Sequence, residues 1–102
     1  MKIYTIRKGL LKNKGEKIWY EHVMGDRIRV RGNGEEIKMD VMDKNGDVEN
    51  NERLKRIEGE KFRVIEGSDI DEIVEFVGGK EGGSPEMVKF KGAVYCRIDG
   101  KH

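Results

Sequence analysis

Between Lys17 and Met42, three runs of alternating apolar and polar residues are separated by two short turn signals, Gly25-Asp26 and Asn33-Gly34. Alternation puts successive side chains on opposite faces of an extended chain. Gly-first and Asn-Gly pairs suit the type II′ and I′ turns whose twist matches a tight hairpin. The pattern predicts a three-stranded antiparallel meander over residues 17–42. With two-residue loops, Val23 faces Ile28, Ile28 faces Met39 and Val30 faces Ile37, with Trp19 and Val41 on the same side. That face is apolar in all three strands except at Glu21. Because a one-residue slip would turn every side chain over, the apolar face supports this register.

The apolar vocabulary of the chain agrees with strands. Ile and Val number 19 against 4 Leu and Ala, and β-branched side chains fit a pleated sheet better than a helix. Lys2 to Arg7 reads as a first strand, Lys8 to Glu16 as an exposed link, and Lys61 to Glu66 as a strand with Phe62 and Val64 on one face. Asp43-Lys44-Asn45-Gly46 turns the chain, and Asp47 to Glu52 is too polar to continue a buried strand, so the meander is expected to end there. Arg53 to Ile57 fits either a short strand or one helical turn. Met87 to Lys91 and Ala93 to Ile98 read as two strands or as one strand bent at Gly92.

One helix is expected, over residues 69–77. Ser68 can cap its first amides, Asp69, Asp71 and Glu72 lie at the positive end of its dipole, and Ile70, Ile73, Val74 and Val77 recur at helical spacing before Gly78. Gly78 to Pro85, with four glycines and a proline, reads as a mobile loop. The expected fold is a single α+β domain over residues 1–102: a curved, mainly antiparallel sheet of five to seven strands, or a small partly closed barrel, packed on that helix. The segment Gly25-Asp26-Arg27-Ile28-Arg29-Val30 resembles the strand openings of SH3-like and OB-type barrels, a six-residue likeness that implies no functional residues.

Charged residues make up 40% of the chain, Gln is absent and Ser and Thr total three. That tilt is reported for proteins of very hot environments and points to a thermophilic, archaeal-like source. One cysteine, Cys96, excludes an internal disulfide and reads as a small buried hydrophobe. No stretch reaches the ~20 apolar residues of a membrane span, and no signal peptide pattern is seen, so the expectation is a cytoplasmic protein with no membrane partner. The net charge of +1 hides an asymmetry, because residues 1–31 sum to +6 and the remainder to −5.

The polar face of the meander carries the candidate site. In the register above, His22, Arg29 and Lys38 form one cross-strand row, flanked by Tyr20, Arg31 and Glu36 on one side and Met24, Arg27 and Asp40 on the other. Arg31 opposite Glu36 and Arg27 opposite Asp40 are ordinary ion pairs. Arg29 opposite Lys38 is a like-charge pair that calls for an anion, and Tyr20 beside it could stack on a base. His22, Arg29, Lys38, Arg31, Arg27 and Tyr20 are thus candidate ligands of nucleic acid, DNA or RNA, or of another anion. The second expectation is a protein-interaction module or small inhibitor acting through a sheet edge, by which it could also form a homodimer, or through the acidic helix face of Asp71, Glu72 and Glu75.

Catalysis finds little support. His22 and Glu21 are adjacent in a strand and point to opposite faces. Whether His22 reaches Cys96 is not legible, and His102 closes a polar terminus. Asp43 to Asp47 has oxygen ligands at the first, third and fifth positions of a calcium loop, but Val48 and Leu54 stand where Gly and Glu are needed. The glycines of residues 78–83 do not follow a strand and open a helix, the setting a phosphate-cradling loop requires. A binding role with no metal, no cofactor and no catalytic residues is the expectation.

Overall fold

The computed structural model describes residues 17–32, 35–79 and 85–98. The expectations for Lys2 to Arg7, Lys8 to Glu16 and His102, and most of the glycine-rich segment before Pro85, lie outside the described residues. Eight strands run in chain order: β1 (Ile18–His22), β2 (Arg27–Gly32), β3 (Glu36–Met42), β4 (Val48–Glu58), β5 (Lys61–Glu66), β6 (Ile73–Val77), β7 (Met87–Phe90) and β8 (Ala93–Arg97). Each pairs antiparallel with the next, and β8 pairs with β1, so the sheet closes on itself as an up-and-down barrel. The α+β expectation is therefore corrected to all-β, with eight strands rather than five to seven and full rather than partial closure.

Alternation supplies the interior. Ile28 and Val30 of β2, Ile37, Met39 and Val41 of β3, Leu54, Phe62, Val64, Val74, Phe76, Val88, Phe90 and Tyr95 all turn inward with Tyr20 to form one core. An eight-stranded barrel is about wide enough for its inward side chains to fill. Phe62 and Phe76 meet edge to face at 5.4 Å. Tyr20 lies across this interior and donates its hydroxyl to the Pro85 carbonyl at 2.8 Å, which ties β1 to the segment that leads into β7. Burial holds the phenol well above its ordinary pKa.

The meander strands pair in a different register. Tyr20 faces Ile28 and Trp19 faces Arg29, while Ile28 faces Val41 and Val30 faces Met39. The β2–β3 shift is by two residues and leaves the same side chains inside. The β1–β2 shift is by three, an odd number, so it turns β1 over: Tyr20 points in, Trp19 and Glu21 point out, and Val23 sits exposed in the turn. The turn itself is longer than two residues, closed by the His22 amide on the Asp26 carbonyl and the Gly25 amide on the His22 carbonyl, both at 2.8 Å.

The helix expected over residues 69–77 is absent. Residues 73–77 form β6, with Val74 and Phe76 inside and Ile73 40% exposed. The apolar spacing of this segment fits either period, and its density of β-branched residues together with inward Phe76 resolves it as strand. Asp71 has φ 77°, which no helix accommodates. Its amide donates to the Val64 carbonyl and the Val64 amide to the Glu72 carbonyl, which turns the chain from β5 into β6. The expected caps are used otherwise: Ser68 donates its hydroxyl to Asn50 Oδ1, and Asp69 pairs with Lys91.

Nor does the meander end at residue 47. Asp43 accepts the Asn45 and Asp47 amides on its carboxylate, both at 2.9 Å, and β4 then runs eleven residues, which settles Arg53 to Ile57 as strand. Irregularities at Val41/Met42, Arg53/Leu54 and Arg56/Glu58 let β3 to β5 bend around the barrel. Met87 to Lys91 and Ala93 to Ile98 are two strands rather than one bent strand, because Lys91 and Gly92 both take positive φ, 51° and 79°, as a type I′ hairpin turn requires.

Strand and helix readings of residues 70–77 predict opposite mutational patterns. Phe76→Ala should destabilise by about 3 to 5 kcal/mol, while Ile70→Lys, at a site 57% exposed, should change stability by about 0.5 kcal/mol or less. Urea titrations of both variants check this, and a large loss at Ile70 with tolerance at Phe76 would restore the helix.

Candidate functional site

Turning β1 over rearranges the outer face. Two four-residue rows cross β1 to β4 side by side, two residues apart along each strand and so about 6.7 Å apart. The first row is Trp19, Arg29, Asp40 and Asn51. Arg29 donates Nε and Nη2 to Asp40 Oδ2 at 2.9 and 2.8 Å, Asn51 donates Nδ2 to Asp40 Oδ1 at 2.7 Å, and the guanidinium lies 5.3 Å from the Trp19 ring centroid. Arg29 is therefore neutralised by Asp40 and stacked on an indole. It does not face Lys38.

The second row is basic throughout. Arg31 stands directly opposite Lys38, and Lys38 opposite Arg53. Lys17, one residue before the Ile18–Val30 pair, extends the row beside Arg31. Arg53 is held by Glu66 at 2.8 Å and Glu36 at 3.1 Å, which favour its charged form. Arg31 and Lys38 have no carboxylate partner among the described residues. They open onto a depression of about 420 Å³ whose walls also include Asp40, Asn51, Glu52, Arg53, Glu66 and Gly67.

The six sequence candidates therefore separate. Arg31 and Lys38 come together as the like-charge pair, with Lys38 facing Arg31 instead of Arg29. Arg27 binds Glu21 at 3.2 Å rather than Asp40. Tyr20 is buried in the barrel and cannot stack on a ligand. His22 shares the inward side of β1 with Tyr20, at the barrel mouth, where its ring lies 5.5 Å from that of Tyr95 and Nδ1 accepts the Met24 amide at 3.1 Å. Sequence reasoning missed Lys17, Arg53 and Trp19. The signal was Glu21, the one polar residue on the supposed inner face of β1.

His22 and Cys96 line a second depression, about 690 Å³, beside exposed Val23 and half-exposed Val94. Cys96 is exposed rather than buried and stands opposite Glu21. Among the described residues, no group of His, Cys, Asp and Glu is placed to hold a metal ion, and no helix is long and apolar enough to cross a membrane.

A carboxyl pair adjoins the basic depression, with Glu52 among its lining residues. Glu52 is 3% exposed, and its Oε1 accepts the Asp69 amide at 3.4 Å. Glu52 Oε2 and Asp69 Oδ2 are both buried with no other partner among the described residues, so a proton on Glu52 lets one oxygen donate to the other. Burial, then the Asp69 carboxylate, pushes the Glu52 pKa up to about 7, while bonds from Glu52 and Lys91 hold Asp69 below its usual value. Gly67, at φ 128°, leaves room for this pair: a Cβ there would collide with Glu52 Oε1 and come within 2.8 Å of the Asn51 carbonyl.

No protein-family model, curated protein or solved structure matches this chain. The site rests on its own geometry.

The raised pKa of Glu52 ties stability to pH. The folded state holds its proton more tightly than the unfolded chain, so this contribution is complete below about pH 4.5 and is lost as pH rises through about 7. Asp69 acts in the opposite sense and loses its contribution only as pH falls below 3.8. Thermal melts should therefore show wild type less stable at pH 8 than at pH 5, and Glu52→Gln, which keeps a donor toward Asp69, should remove that slope and gain roughly 2 kcal/mol at pH 8. A slope that survives the substitution would show that another group carries it.

Proposed function

We propose that this barrel is a nucleic-acid-binding accessory protein, acting in the cytoplasm, that holds the phosphate backbone on the outer face of β1 to β3 through Lys17, Arg31 and Lys38, beside Arg53, which Glu36 and Glu66 hold. The observation that carries this reading is the Arg31–Lys38 pair. Like charges directly opposite one another in a sheet are destabilising, and among the described residues no carboxylate forms an ion pair with either, although Asp40, Glu52 and Glu66 border the same depression, so a bound phosphate supplies a direct countercharge.

Local charge matters more here than the total. The described residues hold fourteen Lys and Arg against seventeen Asp and Glu, so the barrel as a whole does not draw polyanions. Binding of this kind is a local event at one row, with modest affinity and a salt dependence set by a few phosphates. Residues 1–16, with five Lys and Arg against one Glu, add positive charge to the same chain.

The protein-interaction alternative finds less support in the described residues. Closure of β8 on β1 leaves no free sheet edge among the described strands for strand addition, whether by a partner or by a second copy. Asp71 and Glu72 lie before β6 and Glu75 within it, so no acidic helix face exists.

Fluorescence anisotropy with labelled DNA and RNA at low and moderate salt tests the proposal. Binding should weaken steeply with salt, and Arg31→Glu or Lys38→Glu, both at exposed positions, should reduce affinity about tenfold or more and flatten the salt slope by roughly one phosphate contact. Salt-insensitive binding, or affinity unchanged by both substitutions, would contradict it.

A further inference from the structure

We infer that the basic row takes single-stranded rather than duplex nucleic acid, with the Trp19 indole as the platform on which one base stacks. This rests on the phosphate-binding reading above and specifies the partner.

Three observations favour a single strand. Trp19 is the only tryptophan of the chain, and it stands outward on β1, in the row next to the four cations. A backbone lying along Lys17, Arg31 and Lys38 thus has a half-buried indole one row away, with Arg29 over one face, so a base stacks on the other face or takes the place of Arg29. An aromatic beside a cationic track serves unstacked bases, because every base has a π-face, whereas the bases of a duplex are already stacked on each other.

The second observation is the ladder that holds the indole. Arg29 lies against the ring, Asp40 fixes Arg29, and Asn51 fixes Asp40. The ring is thereby positioned before any ligand arrives, which lowers the entropy cost of stacking on it. It also explains why Arg29, which the sequence assigns to the anion, is spent on Trp19 and Asp40 instead.

The third is shape and charge. The outside of a closed barrel is convex, and the described residues include no helix to enter a major groove. Lys17, Arg31 and Lys38, spaced by the distance between strands, span roughly 10 Å, which matches a short stretch of one strand better than the two phosphate walls of a duplex.

Because position 19 holds the one tryptophan, its emission reports this site alone. The full-length protein is titrated at low salt with an unlabelled single-stranded 12-mer, a hairpin duplex and inorganic polyphosphate, while affinity is measured in parallel by anisotropy competition. The single strand should quench the emission and bind at least tenfold more tightly than the duplex, and polyphosphate should bind without quenching. Trp19→Ala should weaken single-strand binding roughly tenfold and leave polyphosphate binding unchanged, and Trp19→Phe should restore most of the loss. Duplex binding as tight as single-strand binding, or Trp19→Ala binding the single strand like wild type, overturns the stacking inference while the phosphate site stands if Arg31→Glu still weakens binding. Binding of none of the three probes overturns both.

Discussion

Tyr20 orients the first strand, and the rest of the molecule follows from that orientation. Its ring is fully buried and its hydroxyl reaches the Pro85 carbonyl, sixty-five residues away in the chain. A buried phenol without a partner would cost about 1 to 3 kcal/mol, so this bond selects the one facing of β1 that satisfies it. With Tyr20 inside, His22 meets Tyr95 at the barrel mouth and β1 pairs with β8 through Tyr20–Arg97, Glu21–Cys96 and His22–Tyr95. A meander that would otherwise end in two open edges becomes a closed surface.

The same orientation sorts the outer face. Trp19 is turned outward onto Arg29, which commits Arg29 and Asp40 to each other and leaves the neighbouring row of Lys17, Arg31, Lys38 and Arg53 with an excess of positive charge. Among the described residues the interior makes one exception to its apolar rule, at Glu52. Asp69 and Lys91 from two turns close over that carboxyl, and Gly67 gives up a side chain to let them. Glu52 thus also borders the depression onto which Arg31, Lys38 and Arg53 open.

Much of β2 and β3 was legible from alternation alone: Ile28, Val30, Ile37, Met39 and Val41 form the inner set under either register, because the two registers differ by an even shift. The first strand was not legible, because Ile18-Trp19-Tyr20-Glu21-His22 carries large side chains on both faces, and only the loop length decides between them. Period alone could not decide β6 either, since Ile70, Ile73, Val74 and Val77 satisfy a helix while Val74 and Phe76 satisfy a strand. The polar start of β4 misled for a different reason. Asn50, Asn51 and Glu52 Oε1 find partners in Ser68, Asp40 and Asp69 from distant segments, and no local pattern reveals partners of that kind. Of the site, Arg31 and Lys38 were within reach of sequence reasoning, and Trp19 was not, because its outward position depends on Tyr20.

The most direct test of this account is the β1–β8 seam. Cross-strand NOEs in the NMR spectrum should connect Tyr20 with Arg97 and His22 with Tyr95, and the amides along the seam should exchange with solvent as slowly as those of the β2–β3 pair. Absence of those NOEs, with β1 and β8 amides exchanging as rapidly as free edges do, would show an open sheet and would contradict both the closure and the facing of Trp19 that follows from it.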